Sequence, residues 1–392
     1  MSRVQLVAGN QLALLQNGVE YFPQLCADID AAQHSIYLET YIFAADSVGR
    51  MVADALRRAA ARNVVVRVLL DGYGSAGLPQ HWLDDLLAAG GEVQWFRRKI
   101  SPLTLRRGRL RRLHRKLVVL DGEIAYVGGI NITEDIPAYG DLSAPRLDYA
   151  VRVQGPVAGE IHALVRHLWG AVSWANFHRR GRTIDWRLTP AKQPSIVPPI
   201  AFLQRDSVRH RRDIERAYLR AIIGAQHEII LANAYFLPGR VFRRALIQAA
   251  RRGVRVVLLL QGQAEYRLQH YATHALYDRL LAAGVEIYEY RVSFLHAKVA
   301  VVDGQWATIG SSNIDPFSLW MAREGNLAVR DAGFAGELRA SLLHEMEQGA
   351  QRVESPVWRK QRMWRRLLNR ASYSLVRLLT GVTGYGRGRD GV

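Results

Sequence analysis

The chain is short of cysteine, of acid and of long apolar runs, and each shortage excludes something. Cys26 is the single cysteine of 392 residues, so no intramolecular disulfide can hold the fold, which suits a reducing compartment. No stretch reaches the roughly 18 to 20 apolar residues that span a bilayer. The uncharged stretch Val4 to Val19 contains Gln5, Asn10, Gln11 and Gln16. It lacks the small-residue cleavage site of a signal peptide, so a soluble or peripheral protein is expected. There is no Cys/His cluster of zinc spacing and no glycine-rich nucleotide loop, so neither a metal nor another cofactor is expected. Acid is outnumbered: 53 Lys+Arg against 35 Asp+Glu give +18, enough to attract a polyanion, either nucleic acid or an anionic membrane. Apolar residues make up 49% and charged residues 22%, which excludes general disorder and leaves room for two cored domains.

An internal repeat dominates what is present. AAQHSIYLETYIF (Ala31 to Phe43) lines up without a gap on GAQHEIILANAYF (Gly224 to Phe236). ALRRAAARNVVVRVLL (Ala55 to Leu70) matches ALIQAARRGVRVVLLL (Ala245 to Leu260), and LLAAGGEVQWF (Leu86 to Phe96) matches LLAAGVEIYEY (Leu280 to Tyr290). Short aliphatic runs such as Ile36 to Leu38 and Val64 to Leu70 read as buried strands. Met51 to Ala61, rich in Ala and Leu with a basic face, reads as a helix. The alternation predicts an α/β fold: two fused lobes related by a pseudo-twofold axis, each a largely parallel mixed sheet flanked by helices. The expected boundaries are a first lobe over 1–175, a proline-bearing linker over 176–199, a second lobe over 200–355 and a basic amphipathic tail over 356–392.

Both copies end alike. HRKLVVLDGEIAYVGGIN (His114 to Asn131) matches HAKVAVVDGQWATIGSSN (His296 to Asn313) in length. Leu117 to Leu120 and Ile124 to Val127 read as a hairpin around an Asp121-Gly122 turn. Within each segment a histidine is followed by a lysine and an aspartate: His114, Lys116, Asp121 and His296, Lys298, Asp303. Side chains two apart on a strand share a face, so each His and Lys project together. A neutral imidazole can attack phosphorus to give a phosphohistidine, and a protonated one can deliver a proton to the departing alcohol. Lysine and amide groups can neutralise the non-bridging oxygens, for which Asn131, Ser311 and Asn313 are the candidates. Asp121 and Asp303 complete the motifs but open turns, so a structural or lysine-pairing role is expected rather than proton transfer. Attack and departure lie on opposite sides of phosphorus, so the two motifs must face one another.

The pattern HxK(x)4D(x)6G(G/S)xN, present twice, resembles the phospholipase D superfamily. IYLETYIF, LLDGYGS (Leu69 to Ser75), DYAVRVQGP (Asp148 to Pro156), NAYFLPG (Asn233 to Gly239) and GSSNIDPFSLWMARE (Gly310 to Glu324) are similar to bacterial cardiolipin synthases. The similarity is to their short, B-like type without an N-terminal membrane hairpin. The resemblance implies metal-independent transfer of a phosphatidyl group from one phospholipid to an alcohol, with phosphatidylglycerol and phosphatidylethanolamine as candidate substrates. It implies His114 as nucleophile, His296 as acid, and a carboxylate downstream of each motif, Asp148 or Glu324, holding the histidine ring. One departure stands out: the first motif has Gly129 where the second has Ser311, so the half-sites are not chemically equivalent.

The superfamily also contains hydrolases and nucleases. Lipid is favoured over nucleic acid because the tail interleaves Trp358, Trp364 and several leucines with arginines, as interfacial helices do. The alternative is a basic helix packed on the second lobe. The basic segment Arg97 to Arg112 also carries Ile100, Leu103, Leu105 and Leu110, which can dip into lipid. No spaced aromatics on strands offer a stacking platform for bases. A peripheral position on the cytoplasmic side of a bacterial inner membrane is expected.

Overall fold

The computed structural model describes residues 5–7, 9–97, 111–136, 144–177, 199–206, 210–315, 322–354, 358 and 363–382. Most of the Arg97 to Arg112 segment, including Ile100, Leu103, Leu105 and Leu110, lies outside them. So do 178–198 of the expected linker, 355 at the end of the expected second lobe, and 356–357, 359–362 and 383–392 of the tail.

The first lobe contains β1 (Gln5–Val7), β2 (Asn10–Gln16), α1 (Asn17–Ala31), β3 (Ser35–Thr40), α2 (Ser47–Ala61), β4 (Val65–Asp71), α3 (Gln80–Ala88) and β5 (Glu92–Phe96). It continues through β6 (Arg112–Leu113), β7 (Lys116–Leu120), β8 (Ile124–Gly128), β9 (Tyr149–Gln154) and α4 (Pro156–Phe177). The second lobe runs through β10 (Ile200–Arg205), α5 (Asp213–Gly224), β11 (Glu228–Asn233), α6 (Arg240–Arg251), β12 (Arg255–Gln261), α7 (Arg267–His274) and α8 (Tyr277–Leu281). It ends with β13 (Glu286–Tyr290), β14 (Lys298–Val302), β15 (Trp306–Gly310), β16 (Ala322–Arg330), α9 (Ala332–Gly349), β17 (Ala350–Arg352) and the tail helix α10 (Met363–Val382).

The sheet orders are β1-β2-β9-β8-β7-β3-β4-β5 and β10-β16-β15-β14-β11-β12-β13-β17. From β2 to β5 and from β10 to β13 the two are the same path, the structural counterpart of the repeat. The sheets are mixed, but less parallel than expected: parallel pairing on these paths is confined to β3-β4-β5 and β11-β12-β13. The hairpins β7-β8 and β14-β15 are antiparallel because a short turn can join only antiparallel neighbours, and the strands that follow them, β9 and β16, pair antiparallel as well. The turns have the predicted chemistry: Asp121 and Gly122, like Asp303 and Gly304, all have positive φ, the conformation that a two-residue hairpin favours.

Apolar burial falls into three clusters. One lies over α1, α2 and α3 with the strands of the first sheet, and one over α5 to α8 with those of the second. The third draws on both sheets together with α4 and α9, so it is common to the lobes. Backbone pairing also crosses between them: Arg112 and Leu113 of β6 pair in parallel with Ala322 and Arg323 of β16, and Leu147 bridges Leu295.

Candidate active site

The cross-lobe pairing sets the positions of the chemical groups. The His114 N–H donates to the Arg323 carbonyl at 3.0 Å, and the His296 N–H donates to the Leu147 carbonyl at 2.8 Å. Each histidine is thereby placed beside the residue after its partner, which is Glu324 for His114 and Asp148 for His296. The His114 Nδ1 lies 3.0 and 3.1 Å from the two Glu324 oxygens. The His296 Nδ1 lies 2.5 Å from Asp148 Oδ2. The resemblance suggested a carboxylate for each motif within its own copy; the structure exchanges them, each lobe supplying the carboxylate for the other's ring. Nδ1 of each ring is thus engaged by a carboxylate, which fixes the tautomer and leaves Nε2 as the nitrogen available for chemistry.

The lysines follow their histidines on one strand face, as predicted. Lys116 Nζ donates to the His114 carbonyl at 2.8 Å. Lys298 Nζ donates to the His296 carbonyl and stands 3.7 Å from Asp148 Oδ2. Both lysines are buried. Burial pushes Lys116 down to about 7 and Lys298 in the same direction, despite nearby Glu324 and Asp148. Burial and then Lys298 hold His296 down to about 3 against the pull of Asp148. Burial likewise lowers His114, against Glu324. Burial favours the neutral Asp148, but Lys298 and His296 outweigh it and keep the carboxyl below its ordinary range. Each histidine also feels the other lobe's lysine, so the four groups act within one electrostatic environment. The two rings, held towards their neutral forms, stand beside two buried amines, a setting that an anionic phosphodiester stabilises.

The remaining candidates have partners of their own. Asp121 and Asp303, grouped with the catalytic residues of the motifs, take the structural one of the two roles expected of them. Asp121 accepts the backbone N–H groups of Gln33, His34 and Ser35 at 2.7 to 2.9 Å, and Asp303 those of Gln226, His227 and Glu228 at 2.8 to 2.9 Å. These bonds outweigh burial and depress both carboxyls; neither aspartate pairs with its motif's lysine. The Ser311 hydroxyl donates to Glu324 Oε2 at 2.5 Å and accepts from the Gly325 N–H at 3.1 Å. Asn131 and Asn313 lie just beyond β8 and β15. Asn131 Oδ1 accepts the Ile42 N–H at 3.3 Å, while Asn313 Oδ1 is buried with no partner.

Gly129 now has a reason. A Cβ there would meet Asp148 Oδ1 at 2.3 Å, so the short carboxylate lies directly over the glycine. In the other half-site the longer Glu324 leaves room for Ser311. The pairs Gly129/Asp148 and Ser311/Glu324 are two solutions to one packing problem.

Residues that sequence reasoning missed surround this centre. Arg115, fully buried, makes a two-pronged ion pair with Glu39 at 2.8 and 3.0 Å. The repeat carried the signal: where the first copy has Glu39 and Arg115, the second has Ala232 and Ala297, a paired change. The Tyr41 ring lies 5.0 Å from that of His114 and 5.6 Å from Lys116 Nζ. Asp71 Oδ2 accepts the Leu113 N–H at 2.8 Å, and Gln261 Oε1 accepts that of Leu295 at 3.1 Å, so corresponding positions brace the residue before each histidine.

Comparison with known proteins agrees with this architecture. A family model described as cardiolipin synthase, PLD-like domain, matches residues 25–136 and 218–346. Cardiolipin synthase B of Shigella flexneri is 37% identical over 96% of this chain and 90% of its own length. Cardiolipin synthase A of Citrobacter koseri is 31% identical over 95% and 76%. Among solved structures, phosphatidylserine synthase of Haemophilus influenzae superposes with a TM-score of 0.65 at 13% identity, covering 95% of this chain and 94% of that one. Polyphosphate kinase of Porphyromonas gingivalis gives 0.58 at 13%, covering 95% and 53%.

Proposed function

The chain belongs to the cardiolipin synthase family of phospholipase-D-like proteins, and from that premise we propose a phosphatidyl transfer in which His114 carries the phosphatidyl group and His296 moves the proton. The protein is a phospholipase-D-type phosphatidyltransferase that moves a phosphatidyl group between phospholipids. The observation that supports a shared two-histidine site is the exchanged carboxylate pairing, which orients one imidazole from each lobe; the division of roles between them follows the family resemblance.

In the first step His114 Nε2 attacks phosphorus of the donor lipid. A P–N bond forms, the P–O bond to the head-group alcohol breaks, and a proton from His296 Nε2 passes to the departing oxygen. In the second step the hydroxyl of an acceptor lipid attacks phosphorus. Its proton passes to His296, the new P–O bond forms and the P–N bond breaks. Lys116 and Lys298, in their ammonium forms, neutralise the negative charge on the non-bridging oxygens. An incoming phosphodiester anion offsets both amines, so substrate binding raises His296 and brings the proton with it. Glu324 and Asp148 hold the rings, and Ser311 holds Glu324.

Donor and acceptor in this reading are phosphatidylglycerol, with phosphatidylethanolamine as an alternative donor, and the enzyme works at the inner face of a bacterial membrane. No helix among the described residues is long and apolar enough to cross a membrane. The tail helix supports surface attachment: Asn369, Ser372 and Val376 are buried while Trp364, Leu367, Leu375, Leu378 and Leu379 are exposed. One face therefore packs on the second lobe and another offers apolar groups beside Arg365, Arg370 and Arg377, as interfacial helices do.

The test is incubation with phosphatidylglycerol vesicles in the presence of chelator. Cardiolipin as the main product, lost in both His114→Ala and His296→Ala, is expected. Phosphatidic acid alone would mean a hydrolase, and cleaved DNA with untouched lipid a nuclease. Substantial activity in either histidine variant would overturn the shared site.

A further inference from the structure

The two half-sites differ sharply in positive charge. In the first, Arg97 follows β5, Arg111 and Arg112 stand just before Leu113 and His114, and Arg323 precedes Glu324. The same four places in the second half-site hold Arg291, Ser293, Phe294 and Leu147. The one arginine among these is matched: Arg291 donates to Glu289 at 2.5 Å, where the first copy has Trp95. Four guanidinium groups on one side thus stand against a single, neutralised one on the other.

The four arginines converge. The guanidinium carbons of Arg97 and Arg323 lie 5.4 and 6.0 Å from the centre of the Phe96 ring. Arg112 lies 5.7 Å from that of Tyr73, with Nη1 3.9 Å from Asp71 Oδ1. Among the described residues, no carboxylate stands within ion-pair range of Arg97, Arg111 or Arg323. The nearby Glu39 is already committed to Arg115. Burial, then the charges of Arg111, Arg323 and Arg112, hold Arg97 below the ordinary arginine value against the pull of Asp71. Burial and then Arg115 lower Arg323, against Asp206 and Glu39. Arg58, Arg255 and Arg339 are instead raised by their partners Asp30, Glu286 and Glu228. The sequence between Arg97 and Arg111 adds five more basic residues and no acid. Arg97 also has a φ of 57°, which a non-glycine residue adopts only at a cost. Half-buried like charges of this kind call for a counter-ion.

We propose that Arg97, Arg111, Arg112 and Arg323 form a second phosphate site next to the reacting one, and that it takes the phosphodiester of a second, anionic phospholipid. The identity of the ligand rests on the phospholipid-transfer reading given above; the anion site stands on the cluster alone. Guanidinium forks match the oxygens of a phosphate two at a time. The surplus positive charge repels the ammonium of a zwitterionic head group, so a net anionic lipid is preferred. The position gives the site a consequence. Arg112 and Arg323 lie on β6 and β16, the strands whose pairing joins the lobes and brings the Arg323 carbonyl to the His114 N–H. A phosphate held between them draws the two strands together and steadies His114 against Glu324.

The test compares the full-length protein with the double variant Arg97→Gln, Arg323→Gln. Both are melted in inorganic phosphate and in chloride of the same ionic strength. Without phosphate the variant should be at least as stable as the parent, since two like charges are gone. Phosphate should raise the Tm of the parent by about 2 °C or more beyond chloride, and that of the variant by less than half as much. Phosphate at Lys116 and Lys298 is common to both proteins, so the difference reports on the arginines. Equal responses would overturn the site. Arg97→Gln alone should lose part of the response, which keeps the test independent of the more deeply placed Arg323. The lipid source is read from cardiolipin formation on phosphatidylcholine vesicles of rising phosphatidylglycerol content. The mole fraction giving half-maximal rate should rise about tenfold in the double variant, while sedimentation with the vesicles stays nearly the same. An unshifted mole fraction beside a lost phosphate response would make this a site for free phosphate and overturn the lipid ligand, as would a matching loss of sedimentation. Phosphatidic acid as the sole product of the parent would refute transfer instead, and the melting comparison would still decide the anion site.

Discussion

Replacing Gly129 by alanine tests the packing logic of the half-sites. The added Cβ would sit 2.3 Å from Asp148 Oδ1, 2.6 Å from Oδ2 and 2.8 Å from the carboxyl carbon. Ordinary non-bonded separation requires the carboxylate to retreat by roughly 1 Å. The bond from His296 Nδ1 to Asp148 Oδ2 is 2.5 Å, and lengthening it by that much takes it to the edge of hydrogen-bond range or past it. The ring then loses its fixed tautomer and aim. A misplacement of about 1 Å at a catalytic group costs on the order of 10²-fold in rate, or about 2.7 kcal/mol. Because Asp148 touches no substrate atom, kcat should fall while KM changes little. A shifted, buried carboxylate should also cost about 1 to 3 kcal/mol of stability. Gly129→Ser should behave alike, and adding Asp148→Glu, which copies the Ser311/Glu324 arrangement, should restore roughly tenfold of the lost rate. The assay is cardiolipin formation from phosphatidylglycerol vesicles, with thermal unfolding measured on the same samples. A Gly129→Ala protein within about threefold of the parent would refute the idea that this glycine exists to seat Asp148.

Three further outcomes are expected. The kcat/KM profile should be bell-shaped: protonation of His114, whose ring is held below its ordinary 6.5, removes the nucleophile on the acid side. Lys116, with its charge present below about 7 and lost above it, weakens phosphate binding on the alkaline side; activity still climbing well above neutral pH would contradict this assignment. Arg115→Ala alone should destabilise the protein by about 3 to 5 kcal/mol, because it strands Glu39 in the core. The double change Glu39→Ala with Arg115→Ala, already the natural state at Ala232 and Ala297, should cost clearly less in the same denaturant titration; additive losses would refute the coupling. Changing Trp364, Leu367 and Leu378 together to serine should weaken sedimentation with anionic vesicles at low salt, and unchanged binding would leave the tail helix a packing element only.

Much of this was legible because the chain states its fold twice. The strands Val65–Asp71 and Lys116–Leu120 lie within a residue of where their aliphatic runs put them. The Asp121-Gly122 turn was written in its two residues. The start of α2 was less visible: Ser47–Val48–Gly49–Arg50 has no helical periodicity, and the helix begins there because the Asp46 side chain caps the Gly49 N–H at 2.8 Å. The carboxylate exchange could not be read from sequence, since spacing within a repeat is equally compatible with pairing inside a copy or across copies. What decides it is the long-range strand contact of Leu113 with Arg323 and of Leu147 with Leu295. The bond from Ser311 to Glu324 was hidden for a related reason, because a hydroxyl has no direction in a sequence until its neighbour is placed beside it. Glu39 and Arg115 were visible as a paired departure from the repeat but carry no motif, so only their burial reveals them.

The account stands on two imidazoles with different duties at one phosphorus atom. Its most direct test uses a phosphatidyl ester of p-nitrophenol, whose leaving group needs no proton, with the His296→Asn protein. A single burst of p-nitrophenol per chain should appear, leaving a phosphatidyl group on the peptide that contains His114 and turning over slowly thereafter. Label on both motifs of the unmodified protein, or a burst that persists when His114 is replaced, would contradict a shared site.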